Sequence, residues 1–234
     1  MKNIVALLIL ISIFSCQKEE QRDLTVKVNI EGLKKGIIYL KKAQDTALIV
    51  VDSIYIDHGN SIFELHSDLN SPEIFYLTLD KKVNEQFKIP FFANRGITEI
   101  STSLKNFEID ANINGSEQQK TLEEYKKMIS RFNERNLELI KENFEAQRDQ
   151  DSAKLNANET EYNNLLKRKY LYTVNFAISH KDSEVAPYLA LSEIYDANVK
   201  WLDTINNSLS PEVKDSKYGK ELQSFIEKIK ESEK

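Results

Sequence analysis

The spacing of apolar residues changes near Gly115, and this change constrains the fold more than any other feature of the sequence. Over residues 24–111, apolar and polar side chains alternate with a period of two, as in strands with one buried face. From Ser116 onward, apolar residues recur at steps of three and four, the spacing of one face of an α-helix. The sequence therefore predicts an α+β fold with an amino-terminal β half and a carboxyl-terminal α half.

The amino-terminal half contains short strand-forming runs separated by turn-rich segments. We predict strands at residues 24–30, 37–40, 47–56, 61–65, 73–79, 86–92, 96–100 and 107–111. Many short strands with turn residues between them are typical of antiparallel sandwiches and barrels. We therefore predict an antiparallel β-sandwich or open barrel over residues 24–113.

Residues 114–234 are predicted to form an all-α helical domain. Ser116 followed by Gln119 fits a capping box, in which each side chain satisfies a backbone amide at the helix start. An apolar stripe then marks the first long helix: Leu122, Tyr125, Ile129, Phe132, Ile140 and Phe144. The remaining predictions are a turn within the polar segment 147–160, a second long helix that ends near 180, a third capped at 182–183, and helices at 197–208 and 212–230.

Residues 1–15 have the pattern of a secretory signal. Lys2 supplies a positive charge, and residues 4–14 are apolar apart from Ser12. This run is shorter than the ~20 residues that a membrane-spanning helix needs, but it has the length of a signal-peptide core. Residues 13–16, Ile-Phe-Ser-Cys, resemble the lipobox of bacterial lipoproteins. An ordinary signal peptide with a coincidental cysteine is the alternative.

The lipobox resemblance implies that Cys16 carries a diacylglycerol thioether, that the signal is cut before it, and that the new amino terminus is acylated, for example with palmitate. Each buried CH₂ of these chains contributes ~0.8 kcal/mol to membrane binding, so we expect a stable outer-membrane anchor with residues 16–23 as its tether. The next four residues, Gln17, Lys18, Glu19 and Glu20, resemble a signal for export to the cell surface. The alternative is a protein that faces the periplasm.

The charged and metal-ligating residues argue against several functions. The chain has 32 basic and 37 acidic residues, a net charge of −5, which disfavours nucleic-acid binding. A single cysteine excludes an internal disulfide, a CxxC pair and a multi-cysteine zinc site. His58, His66 and His180 are scattered, and the sequence has no GxSxG, HExxH or Gly-rich phosphate loop. We therefore expect no enzyme, no catalytic residue, no cofactor and no metal site.

Two clusters have a functional interpretation beside a structural one. Three acids near the predicted turn could bind a cation, although such charges are usually solvated: Glu145, Asp149 and Asp151. Four tyrosines could line a binding groove, although their helical spacing favours the core: Tyr162, Tyr170, Tyr172 and Tyr188. We predict the structural role in both cases.

Four Asp-Ser/Thr-apolar triplets resemble an O-glycosylation motif used on exported proteins in some bacteria. Their acceptor residues are Thr46, Ser53, Ser152 and Thr204. Modification needs an exposed segment, and the predicted inter-helix turn makes Ser152 the best exposed of the four.

The amino-terminal half also resembles a domain of unknown function found in bacterial lipoproteins. The matching positions are Gly32, Ile38, Tyr39, Leu40, Asp52, Ser53, Gly59, Phe63, Pro72 and Tyr76. The resemblance continues through Gly115 and Ser116 into the helices, at residues 180–189 and 209–218. In that family the domain usually precedes a helical segment and a thioredoxin-like domain of the alkyl-hydroperoxide-reductase/thiol-specific-antioxidant type. Only residues 219–234 follow Tyr218, whereas a thioredoxin fold needs on the order of 100 residues. The resemblance thus implies the accessory part of such a lipoprotein without its redox domain.

These patterns together predict a membrane-anchored envelope lipoprotein that acts as a non-catalytic binding or scaffolding module. Its expected partners are the membrane, through the lipid on Cys16, and a protein of the envelope. The alternative is an accessory subunit of a separately encoded thioredoxin-like thiol–disulfide oxidoreductase.

Overall fold

The computed structural model describes residues 22–45, 47–57, 62–80 and 87–232, and it confirms the α+β class. Strands come first and helices follow, as the change of periodicity predicts. The strands are β1 (Leu24–Glu31), β2 (Gly36–Gln44), β3 (Ala47–Ile56), β4 (Ile62–Ser67), β5 (Glu73–Asp80), β6 (Phe87–Ala93), β7 (Gly96–Ser103) and β8 (Asn112–Asn114).

The strands form two four-stranded sheets that pack face to face. Sheet 1 has the strand order β4-β1-β7-β8, and sheet 2 has the order β3-β2-β5-β6. Neighbouring strands are antiparallel except β1 and β7, which run parallel from Leu24 opposite Gly96 to Glu31 opposite Ser103. A parallel pair requires a long connection, and here sheet 2 and β4 supply it. The predicted β-sandwich is confirmed, with one parallel pair in it.

Alternate side chains of each sheet fill the space between the sheets. Leu24, Val26 and Val28 of β1 are buried and share one apolar core with Phe75 and Leu77 of β5. β5 is largely buried on both faces, because the helical layer covers its other side at Ile74. Sheet 2 is therefore the middle layer of a sheet–sheet–helix arrangement.

The strand predicted at 107–111 is wrong, because the chain makes a turn there before β8. Phe107 is buried in the sandwich core, whereas Ile109 is 86% exposed. The hydroxyl of Ser103 donates to Asp110 Oδ2 at 2.6 Å across the turn. Side-chain bonds of this kind compete with a strand ladder, so the alternating apolar residues of this segment do not form a strand.

Six helices lie within the described residues. They are α1 (Glu117–Arg148), α2 (Ser152–Ser179), α3 (Val185–Glu193), α4 (Val199–Ser208), α5 (Pro211–Asp215) and α6 (Lys217–Ser232). α1 and α2 pack together as a long hairpin, and α3, α4 and α6 join the lower part of α2 around a second apolar core. A third apolar cluster joins this helical layer to sheet 2.

The turn predicted within the polar segment 147–160 lies at residues 149–151, and the rest of that segment is helical. Asp151 caps α2 by accepting a hydrogen bond at 3.0 Å from a backbone amide in the first turn. The polar residues that follow stay helical because the two helices pack through side-chain amides. Asn158 is buried and donates to Asn143 Oδ1 at 3.1 Å.

The apolar stripe predicted for α1 is correct only in its first half. Ile140 and Phe144 are exposed, Phe144 to 68%, whereas Leu139 and Ala146 are buried. The buried face turns because α1 packs on β6 and α3 near its start and on α2 alone further along. The last predicted helix is also two helices, α5 and α6, which are separated by Ser216.

Several predictions fall outside the described residues. These are the signal sequence, Cys16, residues 17–20, Thr46 and His58. None of the helices that the structure describes is long and apolar enough to span a membrane.

Candidate functional site

The helices meet sheet 2 at its edge strand β6 and at the neighbouring strand β5. Phe92 of β6 is fully buried, and its ring centroid lies 5.7 Å from that of Tyr188 and 5.9 Å from that of Tyr218. Ile74 of β5 and Leu122 of α1 belong to the same cluster. Both Phe92 contacts are edge-to-face, which is a favourable geometry for aromatic rings. A shared apolar core therefore joins the β half to the α half.

The start of α1 also bonds to the free edge of β6. Ser116 Oγ accepts a hydrogen bond from the Gln119 amide at 3.1 Å, as the capping box predicts. Instead of returning a bond to Ser116, Gln119 Oε1 accepts from Phe92 N at 2.7 Å, and Ser116 Oγ donates to Phe92 O at 2.8 Å. The second half of the predicted box is therefore wrong. The reason is that an edge strand leaves backbone groups unpaired, and the helix start satisfies both of them at Phe92.

A buried carboxylate links sheet 2 to α6. Glu73 of β5 is 4% exposed and forms ion pairs with Lys42, at 3.1 Å, and with Lys217 of α6. One residue further along each element, the Ile74 amide donates to the Tyr218 hydroxyl at 3.0 Å. A buried charge is tolerated when it is paired and hydrogen-bonded. These bonds add to the polar contacts between the two halves.

Beside these contacts lies a cavity of about 360 Å³, which we call the junction pocket. The β half and the helical half both line it. The polar lining consists of Asn70, Ser71, Asn94 and Arg95 from the β half and Gln118, Asp182, Glu184 and Glu212 from the helical half.

The junction pocket is acidic and mostly hydrophilic. Glu184 is 8% exposed, and its Oε2 accepts from Gln118 Nε2 at 2.8 Å. The side chains of Asp182 and Glu212 have no ion pair or hydrogen bond within the described part of the chain. Three carboxylates against one guanidinium, that of Arg95, suit a polar ligand that brings hydrogen-bond donors or a positive charge.

The acids considered as a cation site do not converge. Asp149 forms an ion pair with Arg148 at 2.8 Å, and the hydrogen bond from that guanidinium lowers the pKa of the carboxyl below its usual value. Asp151 caps α2. Within residues 22–45, 47–57, 62–80 and 87–232, no three histidine, cysteine, aspartate or glutamate side chains are placed to hold a metal ion. Asp149 and Asp151 therefore have local structural roles.

The four tyrosines considered as a groove are divided between core and surface. Tyr172 and Tyr188 pack in the cluster on sheet 2, which confirms the predicted core role for these two. Tyr170 donates to Asp196 Oδ1 at 2.6 Å. The core prediction is wrong for Tyr162, which is exposed because the outer part of α2 packs only on α1.

Tyr188 gives the protein a predicted sensitivity to base. Burial raises its pKa to about 12, against about 10 for an exposed tyrosine. The folded state therefore keeps the phenol neutral while the unfolded chain ionises, so the stabilisation is present below about pH 10 and is lost as the pH rises to about 12. Between pH 9.5 and 11.5, we expect the free energy of unfolding of Tyr188→Phe to fall by about 1–2 kcal/mol less than that of wild type. Urea denaturation at each pH measures both values.

The exposed Tyr162 supplies the matched control for this experiment. Tyr162→Phe removes a hydroxyl from the surface and should follow the wild-type pH dependence. Identical pH dependence in wild type and Tyr188→Phe would contradict the prediction.

The described histidines have structural contacts. His66 lies in β4, rather than after it as expected, and its Nδ1 is 3.3 Å from Thr25 Oγ1. His180 is the C-cap of α2, which confirms its expected place near a helix end. Its Nδ1 is 2.8 Å from the carbonyl oxygen of Phe176, and its ring stacks on the Phe176 ring at 4.1 Å.

The predicted glycosylation sites lie on separate surfaces. Ser53 is exposed on β3, Ser152 is exposed at the first position of α2, and Thr204 is exposed on α4. The Thr204 hydroxyl donates to the Lys200 carbonyl at 2.7 Å within its helix. O-glycosylation at these residues stays a prediction of the sequence.

Sequence reasoning missed the residues of the junction pocket. Arg95 follows β6, Gln118 lies in the first turn of α1, and Glu184 precedes α3, so nothing in the linear sequence places them together. The available signal was local: Glu184 stands beside Ser183 at the predicted cap of a helix, and Gln118 stands inside the capping box of α1.

Residues 24–122 match the model of a family described as a domain of unknown function, DUF4369. The match covers the whole sandwich and the first turn of α1, including the bonds from Ser116 and Gln119 to Phe92. The expectation of a domain of unknown function in the amino-terminal half is thereby confirmed. No curated protein matches the chain.

Proposed function

We propose that this protein is a membrane-anchored bacterial envelope lipoprotein that binds a partner without catalysis. The observation that carries the binding function is the junction pocket, a hydrophilic cavity that Arg95 lines together with Asp182 and Glu212, two carboxylates without a partner in the described structure. The anchor rests on the resemblance of residues 13–16 to a lipobox.

The beginning of the described chain supports a pocket close to the anchor. Arg22 forms an ion pair with Asp68 at 2.5 Å, and Asp23 accepts a hydrogen bond from the Leu69 amide at 3.0 Å. Leu69 itself lines the junction pocket. The chain thus leaves the proposed tether beside the pocket, so a partner bound there would lie near the outer-membrane surface on which the protein sits.

Replacing Cys16 with alanine should abolish lipid attachment. Cells fed an alkyne analogue of palmitate should label the wild-type protein and leave Cys16→Ala unlabelled, because the thioether and the acylated amine both require this residue. The variant should also move from the membrane fraction to the soluble fraction, since the acyl chains supply the membrane affinity.

A triple variant with alanine at Lys18, Glu19 and Glu20 is the control, because it keeps Cys16 and should stay labelled. Protease treatment of intact cells then distinguishes the two orientations: cleavage of wild type but not of the triple variant supports export to the cell surface. Equal labelling of wild type and Cys16→Ala would refute the anchor.

The junction pocket predicts a partner that depends on Asp182 and Glu212. Crosslinking in intact cells followed by purification should recover the same partner repeatedly with wild type, and Asp182→Asn/Glu212→Gln should reduce its recovery about tenfold. Both side chains have no partner in the described structure, so these changes remove charge without breaking a contact of the fold. Recovery is measured by quantitative mass spectrometry.

Glu159→Gln/Glu231→Gln is the matched control, since these exposed acids lie far from the pocket lining. Equal loss in both double variants would mean that net charge matters rather than the pocket. A partner recovered equally with all three proteins would contradict the proposed site.

The identity of the partner tests the alternative function. An accessory subunit of a separately encoded oxidoreductase should recover a thioredoxin-like protein that carries its own CxxC. The support for this alternative is the family resemblance of the sandwich and helices, in which such a domain usually follows.

A further inference from the structure

Among the described residues, helices cover one end of the outer face of sheet 2. Ile74 and Phe92 lie under the helical layer. The strand register places Tyr39 of β2, Tyr55 of β3 and Tyr76 of β5 on this same face. Tyr76 packs against the edge of the cluster that contains Ile74 and Phe92. Tyr55 is exposed, and Tyr39 and Tyr76 are partly exposed.

Each of these tyrosines has a lysine ammonium near its ring. Lys41 Nζ lies 5.1 Å from the ring centroid of Tyr39, Lys88 Nζ lies 4.7 Å from that of Tyr76, and Lys35 Nζ lies 6.0 Å from that of Tyr55. A cation held over an aromatic ring is stabilised by the ring quadrupole. We call these six residues the tyrosine–lysine face.

The register sets the three pairs on a diagonal across the strands. Tyr55 of β3 pairs with Ile37 of β2, and Tyr39 lies two residues after Ile37. Tyr39 pairs with Thr78 of β5, and Tyr76 lies two residues before Thr78. Because β2 and β5 are antiparallel, both steps run in the same direction across the sheet. With strands ~4.8 Å apart and ~3.3 Å per residue, successive tyrosines are about 8 Å apart. The three tyrosines therefore recur at regular steps along one line, and each has an ammonium group within 6.0 Å of its ring centroid.

The tyrosine–lysine face has three lysines on a protein of net charge −5. Among the described residues, Lys35, Lys41 and Lys88 form no ion pair with a carboxylate within 4 Å, unlike Lys42 and Lys217, which Glu73 neutralises. The acids nearby lie at its margins.

These marginal acids are Asp80, Asp57 and Glu108. Asp80 pairs with Ile37 at the end of the sheet, Asp57 interacts with Lys35 from the end of β3, and Glu108 accepts the backbone amide of Lys88. Among the described residues, none of these acids lies between the tyrosines on the diagonal.

The face also contains an unsatisfied hydroxyl. Thr78 lies between Tyr39 and Lys88 on adjacent strands, is 3% exposed, and its Oγ1 has no hydrogen-bond partner in the described structure. Buried hydroxyls are normally paired. If Lys88 moved away from the Tyr76 ring, the Thr78 hydroxyl would become accessible to a ligand with hydrogen-bonding groups.

We propose that the tyrosine–lysine face binds an acidic polysaccharide that lies diagonally across β3, β2 and β5. The lysines would pair with carboxylates repeated along the polymer, and the tyrosine, Ser53 and Thr78 hydroxyls would bond to sugar hydroxyls. This surface is separate from the junction pocket, and the proposal does not depend on that site.

Two features favour a polysaccharide over other acidic polymers. Single-stranded nucleic acids bind by stacking bases on bare aromatic rings, whereas each of these rings already has an ammonium near it. Lysine is depleted in the cores of protein–protein interfaces, but a lysine ammonium lies near each of the three tyrosines of this face. Recognition would therefore depend on ion pairs between the lysines and carboxylates and on hydrogen bonds between protein and sugar hydroxyls.

The test is binding of the full mature chain, purified in detergent, to polygalacturonate at low ionic strength. We expect saturable binding that weakens as salt is added, because exposed charges are screened, and no binding to neutral dextran of equal length. Lys41→Gln/Lys88→Gln should weaken binding about tenfold. Tyr39→Leu should weaken it as well, since the ring that positions Lys41 is lost.

Lys141→Gln/Lys228→Gln is the matched control, because both lysines are exposed on the helical half, and it should bind like wild type. Thermal unfolding of each variant shows whether the fold is retained. Absence of binding at low salt, equal binding to dextran, or equal weakening by the control pair would overturn the proposal. Tighter binding to oligothymidylate or polyglutamate than to polygalacturonate would overturn the assignment to a polysaccharide.

Discussion

Phe92→Ala should lower the free energy of unfolding by about 3–5 kcal/mol. The ring of Phe92 is fully buried between sheet 2 and the helices and contacts Tyr188 and Tyr218 edge to face. Its removal deletes a large apolar side chain and leaves a cavity at the contact between the two halves, and both terms are unfavourable. Urea denaturation followed by far-UV circular dichroism and tyrosine fluorescence measures the loss.

Phe144→Ala is the matched control for this experiment. It makes the same chemical change on α1 at a position that is 68% exposed, so we expect a change within about 0.5 kcal/mol. If the two variants lost similar stability, the cluster between sheet 2 and the helices would not join the halves as described.

A further outcome of Phe92→Ala concerns cooperativity. The backbone of Phe92 bonds to Ser116 and Gln119 through main-chain atoms, which the substitution keeps. If these bonds are enough to couple the halves, the two spectroscopic probes should still give one coincident transition. Two separate transitions would mean that the aromatic ring, rather than the bonds to the edge strand, couples them.

Glu73→Ala should be the second most damaging change, with a loss of about 2–4 kcal/mol. Glu73 is buried and pairs with Lys42 and Lys217, so its removal leaves two partly buried ammonium groups without a carboxylate. Removing one member of a buried ion pair costs more than the pair contributes, because the remaining charge stays desolvated. Urea unfolding at neutral pH gives the magnitude.

Two variants separate this effect from ordinary loss of a surface ion pair. Glu64→Ala breaks a pair with Lys27 in which both side chains are about half exposed, at 3.7 Å, and should cost less than about 0.5 kcal/mol. Glu73→Leu with Lys217→Met replaces one ion pair by apolar contacts and should recover part of the stability. A Glu73→Ala loss as small as that of Glu64→Ala would show that the lysines reach solvent when the carboxylate is gone.

The arrangement of strands and helices could be predicted because periodicity reports burial directly. The alternation in residues 24–30 gives β1 because every second side chain faces the sandwich core. The same logic misleads at 107–111, where Ile109 points to solvent and hydrogen bonds from Ser103 hold a turn. It also misses the helical part of 147–160, where the buried contacts are amides such as Asn158 rather than apolar residues.

The candidate site was less accessible from the sequence than the fold. Arg95 and Glu184 line the same pocket although they are far apart in the sequence, and no local pattern encodes that proximity. The role of Gln119 shows why even a correct motif is incomplete. Its backbone amide does what a helix start requires, but its side chain bonds to Phe92 on a strand that the motif does not include.

The parallel pairing of β1 with β7 has a mechanical consequence for an anchored chain. A pull on the lipid end would reach the described structure at Arg22 and pass into β1. β1 lies inside sheet 1, between β4 and β7, and both neighbours bond along most of its length. The load would therefore have to slide β1 past two hydrogen-bonded strands at once, whereas an edge strand could be peeled away one bond at a time. The protein is thus built to resist force from the side on which we place its anchor.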